Sequence, residues 1–115
     1  MKLVRFGAPG REKPGIIDAE GRIRNLSKIV PDIAGEALSP RGLAQIRKTD
    51  IKKLPIVAGK PRLGPCVGGT RHFVAIGLNY TDHARETNSP IPKEPIIFEK
   101  APSCISGPVS YTHLR

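Results

Sequence analysis

The sequence predicts an α+β chain, a small N-terminal antiparallel-sheet domain followed by a second region of two apolar strands around a short polar helix. Short apolar runs recur behind turns containing Gly or Pro, at Lys2–Phe6, Ile16–Ile17, Arg22–Leu26, Phe73–Ile76 and Ile96–Phe98. Only one stretch, from about Pro40 to Lys48, carries both the start and the stop signals of a well-formed helix. Twelve Gly and twelve Pro among 115 residues favour many turns and short elements over a helical bundle.

Taken in order, Lys2–Phe6 reads as an opening strand that the cluster Ala8–Gly15 ends. Ile16–Asp18 and Arg22–Leu26 flank the Gly-containing turn Ala19–Gly21, and the second run alternates polar with apolar residues, which predicts a hairpin. These three strands form one small sheet. Between Leu26 and Gly35 a proline at position 31 leaves room only for a brief or irregular helix. Ser39–Pro40 then supplies an N-cap with proline at the first helical position, and Arg47–Lys48 place cations at the negative end of the helix dipole. Asp50–Pro55 reads as a link whose Ile51 and Leu54 tuck against the helix or sheet. The Pro/Gly-rich passage Lys60–Pro65 marks the approach to a second domain, which predicts a first domain over 1–60, a linker over 61–71 and a second domain from His72.

With 38% hydrophobic residues, three Phe, two Tyr and no Trp, the core is thin for this length. The formal charge of +9 raises the question of a polyanionic partner. Lys and Arg are nevertheless scattered, and the densest run, Arg47–Lys53, is interrupted by Asp50 and holds no aromatic residue. Nucleic acid is therefore disfavoured, and a small basic module binding a polyanion stands as the alternative to an enzyme. Cys66 and Cys104 lack a CxxC spacing and read as reduced, mostly packed thiols of a cytoplasmic protein. Met1–Arg5 has no apolar signal-peptide core, and no run is long enough to span a bilayer. Gly68–Gly69 lacks the Gly-Lys-Ser/Thr ending of a phosphate loop and reads as a turn.

Chemistry concentrates where the strand Phe73–Ile76 stops at Gly77 and runs into a short polar helix. On that helix His83 and Glu86 are three apart and share a face. A carboxylate beside an imidazole raises the histidine pKa and fixes the ring, as a water-activating base requires; by spacing alone most such pairs are solvated ion pairs on exposed helices. Lys100, just past Ile96–Phe98, is either aimed into a cleft or an edge-strand lysine that discourages aggregation. Asn79 and Tyr80 either bind substrate or cap the helix and fill a gap. His72 and Asp82 alone do not make a metal site.

Gly77-Leu-Asn-Tyr-Thr-Asp-His-Ala-Arg-Glu86, with Pro95-Ile-Ile-Phe-Glu-Lys100 and Ser103-Cys-Ile-Ser-Gly-Pro108, resembles the entry to the catalytic domain of the fumarylacetoacetate hydrolase superfamily. Residues 1 to about 60 resemble the small N-terminal domain of bacterial members, among them 2-hydroxyhepta-2,4-diene-1,7-dioate isomerases, ureidoglycolate lyases and acylpyruvate hydrolases. The resemblance spans residues 1–108 and implies that 72–108 is the truncated start of a mostly β catalytic domain. It implies catalytic roles for His83, Glu86 and Lys100, with the first two on a segment that orders over the substrate, and substrate contacts for Asn79 and Tyr80. It further implies a magnesium or manganese ion, a small 2-oxo or 2-hydroxy dicarboxylic acid as substrate, and a homodimer. The metal ligands are expected after residue 108, so that the present chain has none and is inactive by itself. Glu99 and Pro102 depart from the apolar and small residues expected at those places.

Residues 109–115, Val-Ser-Tyr-Thr-His-Leu-Arg, do not continue that pattern. They match the translation of GTC TCT TAT ACA CAT CTC CGA, which resembles a transposase mosaic end joined to a sequencing adapter. A sequencing-adapter-derived tail is expected there, and Tyr111 and His113 are kept out of any site.

Overall fold

A computed structural model describes Met1–Pro108; the stretch read as a tail, 109–115, lies outside the described residues. Two compact units are resolved: one over Met1–Thr70 that the chain rejoins from Ile105, and one over Arg71–Cys104.

The first unit is built on a three-stranded antiparallel sheet in the order β1 (Lys2–Phe6), β2 (Lys13–Ile17), β3 (Ile23–Asn25). Register pairs Leu3 with Ile16 and Ile16 with Arg24. The middle strand begins earlier than expected, inside the Pro/Gly cluster, and carries Pro14 opposite Arg5. A proline is tolerated there because the β2–β3 ladder starts only at Gly15, so the missing N–H falls beyond its end, while the Pro14 carbonyl still accepts from the Leu26 N–H at 2.9 Å. The hairpin turn is held by Asp18, whose carboxylate accepts from the backbone N–H groups of Glu20 and Arg22.

After β3 the chain crosses irregular turns and a 3-10 turn at Gly35–Leu38 before helix α1 (Pro40–Lys48). Its first turn forms as the sequence requires: Ser39 Oγ accepts from the Gly42 N–H at 3.0 Å, and Pro40 occupies the position whose N–H has no intrahelical partner. Gly42 lets the helix start lie on the preceding turn, since a Cβ there would collide with the Glu36 carbonyl oxygen and stand 2.8 Å from the Ala37 carbonyl carbon. A second 3-10 turn, Ile51–Lys53, brings Leu54 inward. Ile16, Leu26, Val30, Ile33, Ala37, Ile46 and Leu54 close one apolar core between sheet and helix.

Arg24 is the polar exception, 8% exposed. Its guanidinium donates to Asp18 Oδ2 at 2.8 Å and to the Leu54 carbonyl at 3.0 Å, so one satisfied cation stitches β3 to the hairpin turn and to the chain after α1. Residues 61–68 run along the first unit. Phe6 pairs with Leu63, and the Gly68 N–H donates to the Ile33 carbonyl at 2.9 Å, which lays this segment along the first unit.

The second unit is a two-stranded antiparallel ribbon, β4 (Phe73–Gly77) with β5 (Ile96–Lys100), and a short helix α2 (Thr81–Glu86) between the strands. The thiols differ from expectation. Cys66 and Cys104 are both free and exposed, because each sits in a Pro/Gly-rich or 3-10 turn that faces solvent rather than in an apolar strand.

Candidate functional site

The strand-to-helix junction of the second unit is the place the sequence marks for chemistry. β4 ends at Gly77 and Leu78 follows with φ of +46°, a left-handed conformation that a branched side chain adopts only under local constraint. The constraint turns the chain sharply, so that Asn79 and Tyr80 lead directly into α2. Tyr80 occupies the N-cap position without a side-chain bond, which removes the capping role considered for it. It is 73% exposed and fills no apolar gap.

Helix α2 is short because its end is closed at once. Asn88 takes φ of +49°, its N–H donates to the Arg85 carbonyl at 3.1 Å, and the Ser89 N–H reaches back to the Ala84 carbonyl at 2.8 Å. This is the Schellman arrangement, with Asn in the left-handed position that glycine usually takes. Of the six helical residues only Ala84 is buried. His83 and Glu86 therefore stand in solvent on the outer surface of the helix. No hydrogen bond or ion pair joins them among the described residues. The intrahelical pair that does form is Arg85 with Asp82, at 3.5 Å and fully solvated.

Asn79 lies in a groove of about 290 Å³, lined on one side by Gly77, Leu78 and Thr81 and on the other by Pro92 and Glu94. His83, Glu86 and Lys100 are not among its lining residues. Lys100 ends β5 opposite Phe73 and is exposed. Of the candidates, then, Asn79 lines the groove, His83 and Glu86 are exposed on the helix, and Lys100 is exposed at the strand end.

One contact escaped sequence reading. Glu99, the residue that departs from the expected apolar one, has its Oε1 2.8 Å from His72 Nδ1 across the ribbon. The signal was the register itself: with Val74 opposite Glu99, the residue two before Val74 is a diagonal neighbour on the same face. Among the described residues no three His, Cys, Asp or Glu side chains converge as a metal would need. The side chains present do not fit the divalent ion that the resemblance implies.

Comparison with known proteins narrows the reading. No family model matches the sequence. Over 108 residues the chain is 58% identical to a protein of Burkholderia multivorans provisionally named a hydrolase, covering 94% of this chain and 38% of that one. A Burkholderia cenocepacia protein named in the same way is 59% identical over 108 residues, again covering 38% of its length. In structure, the chain is similar to the fumarylacetoacetate hydrolase of the psychrophile Exiguobacterium antarcticum, with a TM-score of 0.63 and 27% identity over 92% of this chain and 37% of that one. Sequence and fold together support the fumarylacetoacetate hydrolase superfamily. The chain spans about two fifths of the length of the curated relatives it matches, 38% in each case. Among the described residues no helix is long and apolar enough to cross a membrane.

Proposed function

We propose that this chain is the opening part of a fumarylacetoacetate hydrolase superfamily enzyme that acts on a small 2-oxo or 2-hydroxy dicarboxylic acid in cytoplasmic catabolism, as a homodimer. The observation that supports this most is the fold likeness to a fumarylacetoacetate hydrolase over 92% of the chain, alongside relatives provisionally named hydrolases.

In this reading His83 is the base. Its imidazole takes a proton from a water molecule, whose oxygen attacks the carbonyl carbon; the C–C bond beside that carbon then breaks, its electron pair leaves with the departing carbon, and the imidazolium returns the proton to that carbon. Glu86, one turn on, orients the ring and offsets the charge it gains, which requires the two exposed side chains to draw together when substrate arrives. Lys100 offers a cation to a substrate carboxylate, and Asn79 and Tyr80 offer an amide and a phenol to its oxygens. The superfamily resemblance brings with it magnesium or manganese, whose ligands would lie outside residues 1–108. Residues 1–115 alone are expected to be inactive, since the metal ligands that the resemblance implies are expected after residue 108.

The test uses the full protein encoded at the source locus, sequenced without adapters, and assays an acylpyruvate panel and a 2-hydroxy-diene dioate. Turnover by that protein and a fall in kcat of about 10²–10⁴ in His83→Ala support the reading. Full activity in His83→Ala removes the histidine from the chemistry. Absence of turnover on every 2-oxo and 2-hydroxy acid removes the substrate class.

A further inference from the structure

Residues 61–68 lie on the first unit in a way that differs from everything else in it. The core of that unit is closed by Ile16, Leu26, Ile33, Ile46 and Leu54 without any contribution from this segment. Beside the pairing of Leu63 with the buried Phe6, what holds the segment is polar. Backbone bonds run from the Gly7 N–H to the Arg62 carbonyl at 2.9 Å, from the Gly64 N–H to the Arg5 carbonyl at 2.8 Å, and from the Gly68 N–H to the Ile33 carbonyl at 2.9 Å.

Beneath it sits a chain of charges. Arg62 Nη1 donates to Glu12 Oε1 at 2.9 Å, Glu12 Oε2 lies 3.7 Å from Arg5 Nη2, and Arg5 grips Asp32 with Nε and Nη2 at 2.7 and 3.1 Å. Arg5 and Glu12 are nearly enclosed, with side chains 12% and 7% exposed. The segment can lie this close only because it is glycine at the points of contact. A Cβ on Gly64 would meet Glu12 Cγ at 2.7 Å, and one on Gly68 would run into Asp32 Oδ2 and stand 3.0 Å from the Arg5 guanidinium carbon. Both neighbours are ion-paired and cannot swing aside freely. Where the chain rejoins this unit, Gly107 is buried and presses on the same segment: a Cβ there would collide with the Leu63 carbonyl oxygen and lie 2.8 Å from the Gly64 carbonyl carbon. That neighbour is backbone, so it cannot yield by rotating a side chain.

We propose that residues 61–68, the Arg5–Glu12–Asp32–Arg62 charge chain and Gly107 form a clasp that holds together the exit and the return of the 71–104 excursion, and that this clasp opens as a unit of its own while the three-stranded sheet and α1 stay folded. Local opening follows the distribution of buried apolar contacts. The clasp has few, and its charges are hydrated again on release, whereas opening the sheet exposes the whole core.

Native-state hydrogen exchange on the full 115-residue chain tests this. In Gly107→Ala the amides of Gly7, Gly64 and Gly68 should exchange faster by about tenfold or more, while those of α1 and the β2–β3 ladder keep their wild-type rates. Two results overturn the proposal: unchanged exchange at Gly64, which denies the clasp, or an equal rise at all protected amides, which denies its independence. Should Gly107→Ala not fold, Glu12→Gln removes the charge with little change of shape and is read by the same amides against the same two failures.

Discussion

The two units use their apolar residues in opposite ways. Residues 1–70 enclose Ile16, Leu26, Ile33 and Ile46 almost completely, each at 1% exposure or less. Residues 71–104 leave Val74, Ile76 and Ile97 uncovered on one face of a ribbon and Phe73, Ile96 and Phe98 on the other, at 37% to 67% exposure. A two-stranded ribbon with both faces in water is marginal, and exposed apolar surface of this kind invites partners. Every residue singled out for chemistry, Asn79, Tyr80, His83, Glu86 and Lys100, belongs to this second, uncovered unit. Stability and candidate chemistry are thus carried by different parts of the chain.

The largest test of that contrast pairs two truncations. Leu26→Ala empties a fully buried site and should cost about 2–5 kcal/mol in urea unfolding. Ile97→Ala, at 67% exposure, should cost within about 0.5 kcal/mol. Equal costs would mean that the ribbon face is covered in solution and that the contrast is false.

Gly42→Ala sharpens it within the first unit. Alanine ordinarily favours a helix over glycine by about 1 kcal/mol, yet here the added methyl meets the Glu36 carbonyl and Ala37 backbone. Overpacking should win, with a net loss of about 1–3 kcal/mol on thermal unfolding. A gain in melting temperature would show that α1 shifts away from the preceding turn without penalty.

Acid exposes a smaller difference. The hydrogen bond from Arg62 holds the Glu12 carboxyl below the usual range, helped by its own backbone N–H and by the charge of Arg5. Burial pushes the Asp18 carboxyl up, but the hydrogen bonds from Arg24 and from the backbone and side chain of Arg22 outweigh it and hold it far below its ordinary value. A carboxyl depressed in the folded state stabilises above its unfolded pKa, and that contribution disappears as pH falls through the folded value. Stability of the first unit should therefore be flat through neutral pH and decline only below about 4. Denaturant midpoints across pH 2–7 measure it, and Asp18→Asn should flatten the acid limb. An acid limb that Asp18→Asn leaves unchanged would assign the loss to other carboxyls.

Much of the first unit was legible because its signals are local. Ser39–Pro40 and Arg47–Lys48 bound α1 where the helix forms, since capping and the dipole act within a turn. Pro14 misled, because whether a strand tolerates proline depends on where the neighbouring ladder ends, and that is a property of the sheet. The strands and helix of the second unit were equally legible from Phe73–Ile76, Ile96–Phe98 and the polar turn between them. Its pairings were not. Spacing puts His83 and Glu86 on one side of a helix, but whether they touch depends on what surrounds them, and here both point to water. The approach of His72 to Glu99 required the cross-strand register, which no single run of residues encodes.

The finest test of the contrast is a pair of substitutions expected to do nothing to stability. His83 and Glu86 are exposed on a helix whose only buried side chain is Ala84, and neither makes a side-chain bond among the described residues. His83→Ala and Glu86→Gln should therefore each leave the free energy of unfolding within about 0.5 kcal/mol of wild type. If the proposed function holds, the same two changes remove most of the turnover of the longer protein, and stability and activity part company at these positions. Leu26→Ala should behave in the reverse sense, losing stability and keeping kcat per folded molecule. If His83→Ala instead lowers the melting temperature by several degrees, the imidazole is doing structural work against a surface that covers α2 in solution, and its proposed role as a base loses its main physical support.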